Sequence, residues 1–206
     1  MLITAIEPRR KAMSALYLDG EFVMNLDAQT LIENRFDVGR EIDDDELREI
    51  IRLSGERRAR EKALWLISYR SHSKKELSDK LRRTCDGQSA EAAAERMEEL
   101  GLIDDREYAR QFSRKLLFQK RMSKRHAVYE LRQKGISQEI IDEVLEEIEI
   151  DPRDQIREVI EKKYRNIQDE RIRRRAFAAL QRLGHSGEDI RAVLAEYPEY
   201  SEDDGI

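Results

Sequence analysis

Apolar residues between Tyr108 and Ile148 return at helical spacing. Tyr108, Ala109, Phe112, Leu116 and Leu117 form one stripe, so the first segment buries one side and solvates the other. Ser123 is placed to cap a second helix whose apolar positions are Ala127, Val128 and Leu131, and Gly135 supplies the left-handed residue that ends it. Ser137 starts a third segment, with Ile140, Ile141, Val144, Leu145 and Ile148 on one face and Asp142, Glu143, Glu146 and Glu147 on the other. The pattern predicts a unit of three helices.

The same pattern recurs when the chain is laid on itself. Gly87-Gln88-Ser89, Gly135-Ile136-Ser137 and Gly184-His185-Ser186 follow one another at spacings of 48 and 49 residues. This register matches Ala93 with Ile141 and Ile190, Met97 with Leu145 and Leu194, and Leu100 with Ile148 and Tyr197. Ahead of it Leu81, Leu131 and Leu180 correspond, with a two-residue adjustment near Thr84 and Cys85. Capping signals support the starts: Ser73 with Glu76, and Asp151 followed by Pro152.

Before the repeats the period changes. Met13 to Leu18 and Glu21 to Leu26 are β-prone runs joined by Asp19-Gly20, the dipeptide that best supports a tight hairpin. Ile3 to Ile6 offers a third strand, ended by Pro8. Asp27 is expected to cap a short helix containing Leu31, Ile32 and Phe36, broken at Gly39; Asp43 with Glu46 opens the next, and Ser54-Gly55 marks its boundary. The expected division is an N-terminal hairpin and short helices over 1–54, repeats over 55–103, 104–150 and 151–198, and an acidic tail over 199–206. The fold class is mainly α: three tandem three-helix repeats in an elongated, curved rod, preceded by the small β region.

Composition narrows the function. Charged residues are 40% of the 206, aromatics 6%, and proline occurs three times, a balance suited to exposed helices with narrow apolar stripes. Net charge is only −5, so the distribution of charge matters more than its sum. A single Cys85 and the lack of a long apolar run fit a soluble, cytoplasmic protein with no membrane contact. No phosphate-binding loop, dinucleotide fingerprint, nucleophile elbow, H-E-x-x-H or paired C-x-x-C occurs, so neither enzyme, metal nor cofactor is expected. His72, His126 and His185 are dispersed, and Asp104-Asp105 reads as a helix start rather than a catalytic pair.

Second helices and their approaches are basic, and third helices acidic. The candidate contact residues are Arg70, Lys74 and Lys75 in the first repeat, Lys124, Arg125 and Arg132 in the second, and Arg171, Arg173, Arg174 and Arg175 in the third. Two readings compete: helices that solvate and pair with each other, or a basic ridge beside an acidic one that suits a charged, repetitive partner.

Three motifs resemble the RecX family of bacterial regulators of the RecA recombinase. They are Ile67-x-x-Arg70-x-x-Ser73-x-x-Glu76-Leu77-x-x-Lys80-Leu81, Gly101-Leu102-Ile103-Asp104-Asp105-x-x-Tyr108-Ala109, and Glu130-Leu131-x-x-Lys134-Gly135-Ile136. His72 stands where arginine is common in that family. The resemblance covers roughly Arg60 to Tyr197. It implies a monomeric, non-enzymatic protein of homologous recombination, DNA repair and the SOS response. Such a protein lodges in the groove of the RecA–DNA filament, contacts DNA directly or through the filament, and limits filament growth, ATP hydrolysis and strand exchange. Alternatives are a direct binder of single-stranded nucleic acid, against which the scarcity of aromatics near the basic residues counts, and a helical-repeat scaffold for another protein.

Overall fold

The computed structural model describes residues 1–198. The acidic tail expected over 199–206 lies outside the described residues. Three strands come first: β1 (Ile3–Pro8), β2 (Met13–Leu18) and β3 (Glu21–Asp27), antiparallel in that order. Asp19 and Gly20 both take positive φ, 51° and 89°, as the primed two-residue hairpin turn requires. Pro8 ends β1 opposite Ser14, where its missing N–H costs least. Ten α-helices follow among the described residues.

Helix α1 (Ala28–Glu33) is capped by Asp27, whose carboxylate accepts from the Thr30 amide at 2.8 Å. It is shorter than expected and does not reach Phe36. Arg35, at φ 55°, reverses the chain, with its own amide donating to Ile32 and that of Phe36 to Leu31. This is the two-bond helix ending usually given to glycine. Phe36 then packs beyond the helix with Ile3, Leu16, Leu18, Leu26, Leu31, Ile42 and Ile50, while Ile32 stays exposed.

Helix α2 (Asp44–Tyr69) opens with the expected Asp43–Glu46 capping box but does not stop at Ser54-Gly55. Both residues have packing reasons to sit inside a helix. The buried Ser54 hydroxyl accepts from the Asp27 amide at 2.7 Å. A Cβ on Gly55 would lie 2.8 Å from Ser89 Oγ, so the glycine permits close approach of the third helix of the first repeat. One helix therefore supplies Ile50 to the N-terminal core and Ala59 and Ala63 to the next.

That next core belongs to α2, α3 (Lys74–Leu81) and α4 (Gly87–Glu99), with Leu77, Leu81, Ala90, Ala93, Ala94 and Met97 buried. The second repeat comprises α5 (Asp105–Arg114), running into a π-helical turn (Lys115–Gln119), then α6 (Lys124–Gln133) and α7 (Gln138–Glu146). The third comprises α8 (Pro152–Lys163), α9 (Glu170–Arg182) and α10 (Gly187–Leu194). The chain divides into two compact units between Asp104 and Asp105. No described helix is long and apolar enough to cross a membrane.

Two of the repeats share one turn. After α6 and α9, Gly135 (φ 79°) and Gly184 (φ 89°) end the helix, and Ser137 and Ser186 cap the next by accepting from Ile140 and Asp189 amides. The first repeat does not use this turn. Its third helix is capped by Asp86, and Gly87 is already the first helical residue. Aligning the caps matches Ala90 with Ile141 and Ile190, all fully buried, and Met97 with Ile148 and Tyr197. The sequence register was three residues out there, and Leu100 is half-exposed. Three residues turn a helix by only about 60° short of a full circle, so the apolar stripe nearly survives the slip.

The second and third repeats join through polar bonds. Ser123 donates its amide to Leu183 at 2.9 Å and its hydroxyl to the Gly184 carbonyl at 2.8 Å. Gln155 Nε2 donates at 2.7 Å to the carbonyl of Leu117, in the π-helical turn. His185 Nε2 lies 2.8 Å from the Arg121 carbonyl, which requires the Nε2–H tautomer. Burial holds the His185 pKa below the usual histidine value, and its Nδ1 has no partner.

Gly184→Ala should destabilise by roughly 2–4 kcal/mol, because it adds left-handed strain and a Cβ 2.6 Å from Ser123 Oγ. Gly87→Ala, at a helical position with open space, should instead gain up to about 1 kcal/mol in denaturant unfolding. Because His185 is neutral when folded, its contribution is complete above an unfolded pKa of about 6.5 and is lost as pH falls towards the lower folded value. Unfolding midpoints of the wild type should drop between pH 7.5 and pH 5 more steeply than those of His185→Gln.

Candidate basic interface

Each basic second helix carries, in its first turn, a cation seven residues before the buried leucine that the repeats share: Lys74 before Leu81, Lys124 before Leu131, Arg173 before Leu180. In the second repeat Lys124 Nζ donates to the Leu145 carbonyl at 2.9 Å. In the third, Arg173 reaches the equivalent Leu194 carbonyl at 3.0 Å and that of Tyr197 at 2.6 Å. The bonds to Leu145 and Leu194 give a second donor to last-turn carbonyls that also accept from the Ile148 and Tyr197 amides, and place positive charge against the negative pole of the third helix. Lys74 does a related job in the first repeat, 2.6 Å from Glu98 near the end of α4. Three of the expected contact residues thus tie second helix to third within their own repeat.

Most of the remaining candidates also have partners. Arg70 grips Glu76 through two bonds of 2.9 Å, and Lys75 pairs with Asp79 at 2.8 Å. Arg125 donates to the Gly184 carbonyl at 3.3 Å, Arg132 to Gln138 at 3.0 and 2.6 Å, and Arg174 pairs with Glu170. The acidic third helices are engaged too. Glu91 pairs with Arg82, Glu143 with Arg106, and Glu196 with Arg157 through two 2.8 Å bonds that hold its carboxyl below the usual range.

His72 is buried where an arginine was the family expectation. Its Nδ1 lies 2.8 Å from the Arg70 carbonyl and its Nε2 2.9 Å from Lys80 Nζ. An ammonium donor at Nε2 requires a neutral ring, and burial with the charges of Arg70 and Lys80 lowers its pKa accordingly.

Arg171 and Arg175 differ: among the described residues their side chains have no hydrogen bond or ion pair. Arg175 helps line a cleft of about 350 Å³ with Lys162, Lys163, Tyr164, Arg165, Asn166 and Ile172. No carboxylate is among these residues, although Lys162 lies 3.5 Å from Glu158 outside them. Lys162 and Lys163 also complement the negative end of α8. Arg165 and Arg175 have no such structural duty. Sequence reasoning missed Lys162, Lys163 and Arg165 because it followed the second helices; the signal was the run of cations around Tyr164, at the end of a first helix. An anionic group is the ligand such a cleft would take.

Comparison with known proteins matches this architecture. Residues 59–97 match the model of the RecX first three-helix domain, and residues 104–145 that of the RecX second three-helix domain. The regulatory protein RecX of Caldanaerobacter subterraneus subsp. tengcongensis is 32% identical over 174 residues, covering 79% of this chain and 84% of the relative. That of Clostridium tetani is 28% identical over 196 residues, covering 92% and 90%. A crystal structure of regulatory protein RecX superposes with a TM-score of 0.61 at 24% identity, over 93% of this chain and 98% of that one. One of RecX from Lactobacillus salivarius gives 0.56 at 22%, over 69% and 96%. Those two likenesses are of fold.

The intramodular role of the leading cations is testable. Lys124→Met and Arg173→Met, which keep the stem and remove the charge, should each cost about 0.5–1 kcal/mol in denaturant unfolding. Arg175→Met should stay within about 0.5 kcal/mol of wild type.

Proposed function

The chain belongs to the RecX family, and from that premise we propose that it regulates the RecA recombinase by binding the RecA–DNA filament, mainly restraining filament growth, ATP hydrolysis and strand exchange. Membership carries this reading: relatives matched over most of their length are named regulatory proteins. The action is one of binding rather than of chemistry, by a cytoplasmic monomer. Linked helical repeats can each make a modest contact, and the linkage multiplies affinity through effective concentration.

Charge left over after internal pairing indicates where contacts form. Arg171, Arg175, Arg165 and Lys163 of the third repeat are the cations we assign to the filament, ahead of Lys74, Lys124 and Arg173, which serve their own helix ends. An acidic protein surface or the phosphates of the enclosed DNA would satisfy them equally. Direct binding of single-stranded nucleic acid is the second reading, favoured by the carboxylate-free lining of the cleft.

Near-stoichiometric protein should slow DNA-dependent ATP hydrolysis by RecA. The double charge reversal Arg165→Glu/Arg175→Glu should raise the concentration for half-inhibition about tenfold, equivalent to about 1.4 kcal/mol. Lys75→Glu, at a site already paired with Asp79, should change it less than about twofold. No effect of the wild type over a wide concentration range would remove the filament reading. Tighter, salt-dependent binding to bare single strands than to filaments would favour the second.

A further inference from the structure

The outward face of α2 carries a feature that neither the family motifs nor the charge pattern uses. Arg58, Lys62, Trp65 and Tyr69 fall at i, i+4, i+7 and i+11, a single stripe. It points away from the buried Ala59 and Ala63, which pack the first repeat. Trp65, the only tryptophan in the chain, is 53% exposed, and Tyr69 is 80% exposed. Their ring centroids are 5.4 Å apart with planes inclined at 48°. Lys62 Nζ lies 3.8 Å from the centroid of the Trp65 ring. Arg58 is exposed and has no side-chain partner among the described residues, while the adjacent Glu61 lies 3.6 Å from Arg57.

We propose that this stripe is a stacking platform for single-stranded nucleic acid, in which Trp65 and Tyr69 receive unpaired bases and Arg58 and Lys62 meet the neighbouring phosphates. The proposal is independent of the filament reading and of the cleft in the third repeat. Exposed aromatic rings offer π-faces that any base can occupy, which gives affinity without sequence preference. The cations supply the salt-dependent attraction for the backbone. Lys62 Nζ stands over one face of the indole in a cation–π contact, and a base stacking on that face would move it toward the neighbouring phosphate.

A protein partner is the less suitable occupant. Binding hot spots on proteins centre on aromatics enclosed by an apolar, water-excluding surround. Here the rings stand on a narrow stripe bordered by Glu61 and Ser68, with Leu64 the exposed aliphatic neighbour. The sparse aromatics of the whole chain argued against stacking; placing two of them beside two cations reverses that argument locally.

The test uses the full chain and a labelled oligothymidylate, followed by anisotropy, together with the emission of Trp65. Binding should quench that emission. Trp65→Ala and Tyr69→Ala should each weaken binding at least fivefold, Trp65→Phe should recover part of the loss, and Arg58→Gln should lower the slope of log affinity against log salt by about 0.7. An oligonucleotide of the same length with abasic sugars should bind weakly and equally to wild type and Trp65→Ala. Equal binding of base-bearing strands by wild type and both alanine variants, or equal affinity for abasic and base-bearing strands, would overturn the proposal. Quenching by DNA-free RecA with none by the oligonucleotide would also overturn it, assigning the face to a protein.

Discussion

Short helices leave much of their backbone unpaired, and meeting that need is the constraint on which this structure depends. A helix of 8 to 13 residues, such as α3, α4, α9 or α10, has four amides and four carbonyls without intrahelical partners. The chain answers with side-chain caps at Asp43, Ser73, Asp86, Ser123, Ser137, Asp151, Asp169 and Ser186. Glycine-ended turns close α6 and α9, and the cations that begin α6 and lie in α9 close the next helix. Even the junction of the second and third repeats is built from such groups. The Leu117 carbonyl, in the π-helical turn, accepts from Gln155, and the Gly184 carbonyl, at the end of α9, accepts from Ser123 and Arg125.

This economy reshapes the meaning of the charges. A chain with 39 basic and 44 acidic residues looks like two opposed ridges when read linearly. In three dimensions many of those side chains, among the described residues, answer one another or a helix end, as Lys74, Lys124 and Arg173 do within their own repeats. Fewer cations remain for a partner, among them Arg165, Arg171 and Arg175 of the third repeat and Arg58 on α2. Surface ion pairs are individually weak, so their use inside a repeat does not make it rigid. It does remove charge that a partner would otherwise have to desolvate.

Local rules reached far in this chain because its elements are local. The hairpin at Asp19-Gly20, the Asp43 box, the serine caps and the apolar stripes of α5, α7 and α9 all depend on residues within one or two turns. The failures are of another kind. Ser54-Gly55 reads as a break, yet a hydrogen bond to Asp27 and the proximity of Ser89 make it the middle of α2. Gly87 imitates Gly135 in the repeat, but only the observed caps reveal that it begins a helix rather than ending one.

The sequence by itself determined the number and type of most elements, the three-helix periodicity and the family motifs, because helical period, capping and turn chemistry are written in neighbouring residues. Tertiary structure alone decided which cations are occupied, that α2 serves two cores, and that Trp65 and Tyr69 stand exposed beside Lys62. The physical reason is that a charge or ring is free only relative to groups brought to it by folding. The carbonyl that claims Lys124 lies 21 residues away, and no local pattern records it.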